Sequence, residues 1–211
     1  MIVRLLTKAT LLVLPLSCSG ETPQRTSAPS DSGHADAKTV QVIDTAATQG
    51  RPDAEPGPQL LTPDGWGPLR IGMNRAEVVA AVGDDGEPDA VGGSDPEACD
   101  EFHPRNAPDG VLVMIQDGVL TRVSVSRNSA ISTPTGFRVG DSGSAVLAEY
   151  GTRARVEPHQ YWAPPAKYVT AWRQARSQSE RRGIRYEISS EDEIVHLRGG
   201  GPSIEYVEGC V

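Results

Sequence analysis

The chain has 211 residues, of which 37% are hydrophobic and only 5% aromatic, and it carries a formal charge of −8. A leader holding Arg4 and Lys8 would take two cations with it on removal, so the remaining surface is more acidic still. That balance argues against nucleic acid or anionic lipid headgroups as the main partner, and the shortage of aromatic rings leaves Val, Ile, Leu and Ala to fill the core.

Arg4 and Lys8 precede an apolar run from Ala9 to Leu16 and the small residues Ser17-Cys18-Ser19-Gly20. This is the pattern of a signal peptide over 1–17: about a dozen apolar residues fall short of the ~20 a membrane-spanning helix needs, and Pro15 would break such a helix. Leu14-Pro15-Leu16-Ser17-Cys18 resembles the lipobox of bacterial lipoproteins, with the leucine four places before the cysteine rather than three, which implies lipidation of Cys18. Ordinary cleavage near Ser19 is the alternative and would leave the chain free in the periplasm. Residues 18–60 are Ser, Thr, Ala, Pro, Gly and Asp rich and lack aromatic residues, a composition expected to stay disordered. Such a segment of about 40 residues has an r.m.s. span of roughly 35 Å, suited to a tether.

All aromatic residues fall between Trp66 and Tyr206, so 61–211 is expected to be one globular domain of ordinary size. Leu69-Arg-Ile-Gly-Met-Asn-Arg-Ala-Glu-Val-Val-Ala-Ala-Val-Gly83 aligns without a gap on Phe137-Arg-Val-Gly-Asp-Ser-Gly-Ser-Ala-Val-Leu-Ala-Glu-Tyr-Gly151, which predicts an internal repeat over about 67–134 and 135–211. Each copy reads as a glycine turn, a cap and a short helix stopped by glycine. Asn74 with Glu77 three places on makes a capping box, and Val78 and Val82 share a helix face. In the second copy Ser142, or its neighbour Asp141, takes the cap position, and Val146 and Tyr150 repeat the apolar face.

Capping explains a serine that otherwise sits in Val139-Gly-Asp-Ser-Gly-Ser-Ala-Val146, a stretch like the nucleophile loop of trypsin-like proteases. Such an enzyme needs a general-base histidine before its serine in that family's order. Only His34, in the tether, and His103, in Glu-Phe-His-Pro, precede Ser142. A hydrolase using Ser142 is therefore the remotest of three functional readings, and the chain is expected not to be an enzyme.

Strand signals follow each helix. Asp117-Gly118 between Val111–Gln116 and Val119–Val125 is a strong hairpin signal, and Val119, Thr121, Val123 and Val125 should line one face. Lys167–Trp172, Ile184–Ile188, Ile194–Leu197 and Ile204–Val207 also read as strands, with a turn expected at Gly199-Gly-Gly-Pro202. The fold class is α+β: two tandem helix-plus-antiparallel-strand units with short helices packed on one face of an antiparallel sheet.

Leu69-x-Ile-Gly-Met-x-x-x-Glu-Val-x-x-x-Val-Gly83, followed by Pro88, resembles the helical segment of the SmpA/OmlA outer-membrane lipoproteins, and the tandem copy resembles the β-lactamase inhibitor protein architecture. The resemblance covers about 20 residues in each copy and implies recognition of another protein through an exposed sheet face or loop, without enzymatic activity.

With Cys18 lipidated, Cys99 and Cys210 remain as a pair for one disulfide in an oxidising compartment. The loop Glu157–Tyr168 carries His159, Tyr161 and Trp162, aromatic side chains of the kind that anchor protein partners; Tyr161 and Trp162 could equally fold back over a thin core. Trp66 and Trp172 are expected in the core, and Arg173, Arg176, Arg181 and Arg182 on a solvated loop. Asp84-Asp85 and Asp100-Glu101 read as solvated loop charges. Neither Cys99-Asp-Glu-Phe-His103 nor His159 and His196 has metal-ligand spacing, so no metal and no cofactor is expected. The resulting expectation is an exported binding module on the periplasmic side of the outer membrane, held only by the Cys18 lipid and engaging an envelope protein. The alternative is an inhibitor or ligand-capturing periplasmic protein.

Overall fold

A computed structural model of the chain describes residues 59–127 and 129–210. The expected signal peptide over 1–17, the lipidation site Cys18 and the expected tether up to residue 58 lie outside the described residues.

The architecture is α+β and dominated by sheet. A small ladder pairs β1 (Leu61–Thr62) with β2 (Gly65–Trp66). Helix α1 (Arg75–Val82) is followed by β3 (Cys99–Phe102), β4 (Val111–Gln116) and β5 (Val119–Ser126). Helix α2 (Gly143–Tyr150) is followed by a short 3-10 turn and by β6 (Arg155–Pro158), β7 (Lys167–Trp172), β8 (Gly183–Ile188) and β9 (Ile194–Gly200). The seven later strands form one antiparallel sheet in the order β3-β4-β5-β9-β8-β7-β6, so two consecutive meanders meet through their last strands. No described helix is long and apolar enough to cross a membrane.

One face of the sheet carries the apolar core. Val113, Val123, Val125, Leu197, Tyr186 and Val169 are buried there with Val78 and Val82 of α1, Val146 of α2, and Leu61, Trp66 and Leu69. Both helices are tied to this layer by the same device. Gly72 N–H donates to the Leu120 carbonyl (2.8 Å) and Leu120 N–H to the Met73 carbonyl (2.7 Å), while Gly140 N–H donates to the Ile194 carbonyl (2.8 Å) and Ile194 N–H to the Asp141 carbonyl (2.9 Å).

Asn74 caps α1 as its spacing predicts: its side chain accepts from Glu77 N–H and Glu77 accepts from Asn74 N–H. Gly83 ends the helix, as expected, with φ 82 and ψ 164, a positive φ combined with an extended ψ. In α2, Ser142 holds the cap position but makes no cap bond. Asp192 Oδ2 instead accepts from Ser144 N–H (3.0 Å) and from the Ser142 hydroxyl (2.9 Å).

The Asp117-Gly118 hairpin forms with positive φ at both residues. The expected alternation along β5 does not persist through it: register shifts so that Ile115 faces Leu120 while Met114 faces Arg122. Thr121 is thus an extra residue, Leu120 enters the core and Val119 is left exposed. Two further expectations are corrected at the C-terminal end. Gly199 and Gly200 belong to β9 rather than to a turn, and 204–207 forms no strand, because Pro202–Glu205 is a 3-10 turn with proline in its first positions. Asp100 and Glu101 are buried in β3, not solvated: Asp100 meets Arg75 and Glu101 meets Arg122.

Cys99 and Cys210 are joined by a disulfide with Cα atoms 5.4 Å apart. Closing a loop of 111 residues constrains the unfolded chain by about 4–5 kcal/mol in the chain-entropy description.

Candidate binding face

Side chains alternate along a strand, so each residue between core positions points to the opposite face. On β5, β9 and β8 these are Arg122 and Ser124, His196 and Arg198, and Arg185 and Glu187; cross-strand register sets Ser124 beside Arg198, Arg198 beside Arg185, and His196 beside Glu187. On β7 and β6 the same rows continue as Thr170 and Arg155, and as Tyr168 and Glu157. The second face is therefore a charged layer. Arg198 donates to Glu187 (2.7 Å), Arg185 to Glu157 (3.1 Å) and Thr170 (3.0 Å), and Arg122 to Glu101.

The C-terminal segment 201–210 straps across this layer. Arg122 donates to the Ser203 and Tyr206 carbonyls (3.1 Å each), Arg155 to Glu205 (3.0 Å), and Cys210 N–H to Glu101 (3.2 Å). The disulfide completes the attachment. Alongside the strap runs an open groove of about 650 Å³ whose lining includes Gln116, Gln160, Glu205, Tyr206 and Glu208.

The loop after β6 builds the rest of the site. His159 is buried, with Nε2 3.2 Å from Glu187 Oε1, while Nδ1 accepts from the backbone N–H groups of Tyr161 and Trp162 (3.1 Å each). Two donors at Nδ1 fix the tautomer with the proton on Nε2, which donates to Glu187. The His159 ring lies between Trp162 (4.5 Å) and Tyr168 (4.6 Å) in a stack. Burial alone would raise the Glu187 carboxyl, but His196, Arg198 and His159 outweigh it and hold its pKa at about 2. Burial also pushes the Tyr168 hydroxyl upward, with Glu187 adding to the effect.

Of the three loop residues singled out in the sequence, His159 is thus an internal pivot, whereas Tyr161 and Trp162 are 58% and 42% exposed. Tyr161 donates to Glu208 and so joins the loop to the strap. Trp66 lies in the core as expected, and Trp172 is half-buried with the Arg181 guanidinium 4.1 Å over its ring. Arg173 grips Asp64 through two bonds of 2.7 Å. Ser142 bonds to Ser144 and Asp192, and His103 Nδ1 to the Val111 carbonyl. Sequence reasoning missed Glu187, Arg198, Arg185 and Arg122, whose only signal was charge at alternate positions of otherwise apolar strands.

No family model matches the chain, and no curated protein matches it. Among solved structures the chain is similar to an extracellular protein containing an SCP domain from Bacillus anthracis strain Ames, at 10% identity and a TM-score of 0.39 over 63% of this chain and 44% of that one. It is also similar to a DUF4309 family protein from Bacillus subtilis subsp. subtilis strain 168, at 13% identity and a TM-score of 0.38 over 61% of this chain and 78% of that one. The chain therefore spans less than half the length of the first of these. At such TM-scores the likeness assigns no family.

Proposed function

We propose that the chain is an exported, lipid-anchored, non-enzymatic binding module of the bacterial cell envelope, and that the His159–Trp162 loop with the adjoining strap engages an envelope protein. The observation that carries this reading is the mounting of Trp162. Its ring is stacked on a buried histidine that is itself locked by Glu187 and two backbone N–H groups, yet it remains 42% exposed beside Tyr161. An aromatic side chain held still before binding loses little further freedom in a complex, which favours it as an anchor.

Export is supported by the leader pattern and by the Cys99–Cys210 bond, and the anchor by Cys18 in its lipobox-like setting. The reading of the domain as two tandem units is supported by the matching bonds at the two helix entries, where Gly72 and Gly140 occupy aligned positions and meet the starts of β5 and β9. The test is crosslinking in intact envelopes followed by capture of the full-length protein. A stoichiometric envelope protein should be recovered with the native chain and lost with Trp162→Ala, a substitution on the surface that leaves the melting temperature within a few degrees. Equal recovery with Trp162→Ala, or no recovery with the native chain, refutes the reading.

A further inference from the structure

Exposed aromatic side chains gather at the groove beside the strap. Among the described residues they are Tyr161, Trp162 and Tyr206. Tyr206 lines the groove, Tyr161 donates to Glu208 in its wall, and Trp162 is the next residue of the loop. Ala98, Val207 and the Cys99–Cys210 disulfide add further apolar lining.

The charges set among these apolar groups are of one sign. Asp95, Glu205 and Glu208 border the groove, and none of its lining residues is Lys, Arg or His. Glu205 is answered by Arg155 (3.0 Å), which also serves Glu157 (2.8 Å). Asp95 and Glu208 meet neutral donors instead: Asp95 accepts from Glu97 N–H (3.3 Å) and Glu208 from the Tyr161 hydroxyl. Two carboxylates thus lack a counter-charge among the described residues. While the groove is open, water solvates them. An occupant that covers the aromatic lining strips some of that water away, and only a cation offsets the loss; a second carboxylate brought to the same place would be repelled. The aromatic faces favour the same choice, because a ring attracts a guanidinium or ammonium group laid over it.

We propose that the part of the envelope protein entering this groove is a basic segment, with lysine or arginine side chains set against Asp95 and Glu208 and over the Tyr206 ring. This rests on the reading of loop and strap as a protein-binding surface and adds the chemistry of what binds there. Apolar contact with Trp162 and Tyr206 supplies most of the affinity, and the carboxylates select the partner and steer its approach.

The test uses the full-length chain with a photoreactive phenylalanine analogue in place of Val207, irradiated in intact envelopes. Mass spectrometry of the crosslinked partner should find a segment in which Lys and Arg outnumber Asp and Glu. A neutral or acidic segment overturns the proposal, as does a partner whose capture needs Trp162 but which never crosslinks at position 207. Either result leaves the protein-binding reading standing, whereas a native chain that captures no envelope protein refutes that reading and this one with it. The carboxylates are tested separately with a blocked peptide, Ala-Arg-Ala-Lys-Ala-Arg, titrated into the exported chain and followed by nuclear magnetic resonance. The side-chain amides of Gln116 and Gln160, which line the groove, should shift saturably, and a peptide with Glu in place of each Arg and Lys should leave them unmoved. Asp95→Asn combined with Glu208→Gln keeps an acceptor for each neutral donor and should weaken binding of the basic peptide about tenfold. No shift with the basic peptide, equal shifts with the acidic one, or an affinity unchanged in the double variant overturns the proposal.

Discussion

Asp192 holds the start of α2 from 50 residues away, and this single carboxylate takes over the work that Ser142 was positioned to do. The Ser144 backbone N–H is the main influence that draws the Asp192 carboxyl below its usual pKa; burial opposes it, while the Ser142 and Ser144 hydroxyls and Lys167 add to the lowering. Replacing Asp192 by Ala should therefore cost about 1 kcal/mol, the usual value of a lost helix cap, and Ser142→Ala distinctly less. Thermal unfolding of the two variants decides between them, and a larger loss for Ser142→Ala would return the cap to the serine. The contrast with α1 shows what a sequence can carry at this scale. Asn74 and Glu77 satisfy each other within four residues, so their pairing is written locally. The cap of α2 comes from the turn before β9, and no spacing around Ser142 points to it. Asp100 and Glu101 were misread for the same reason: a buried carboxylate differs from a solvated one only through partners such as Arg75 and Arg122, which the chain brings in from elsewhere.

Among the elements, those with strong local signals were legible. The Asp117-Gly118 hairpin and strands β4, β7 and β8 follow from turn chemistry and β-branched composition. Strands β3 and β6 were not, since each has four residues, lies at an edge of the sheet and is rich in charge. Their partners make them strands. The glycine-rich end of β9 was read as a turn because glycine lacks β propensity, but these glycines permit close approach. A Cβ on Gly200 would lie 2.3 Å from the Thr121 carbonyl oxygen at the β5 bulge, and its φ of +152 suits glycine alone. Gly199 similarly leaves room for the Thr62 carbonyl, 2.5 Å from where its Cβ would stand. Gly200→Ala should accordingly destabilise the domain by about 2–3 kcal/mol through backbone strain and displacement of the bulge. Chemical denaturation measures it; a change below about 0.5 kcal/mol, the range of an ordinary surface substitution, would mean that the bulge and β9 yield without cost.

Across the whole molecule, the sheet separates two kinds of interior: an apolar layer under the helices and a charged layer under the loop and strap. The second depends on Glu187, whose carboxyl is held at about 2 against an ordinary 4.5 by His196, Arg198 and His159 in spite of its burial. Because the folded pKa is the lower one, the unfolded chain binds the proton first as pH falls. The contribution of Glu187 is complete above the unfolded value and is lost as pH drops from about 4.5 towards 2. Glu187→Gln should be less stable than the native chain by about 3 kcal/mol at pH 7, since it leaves Arg198 enclosed without its counter-charge. That gap should narrow steadily below pH 4.5, as protonation makes the native side chain resemble the amide. Thermal unfolding of both proteins between pH 7 and pH 2 gives the answer. Parallel curves across the acid range would show that Glu187 does not link proton uptake to unfolding, and that the charged layer is held together by the strap and its disulfide instead.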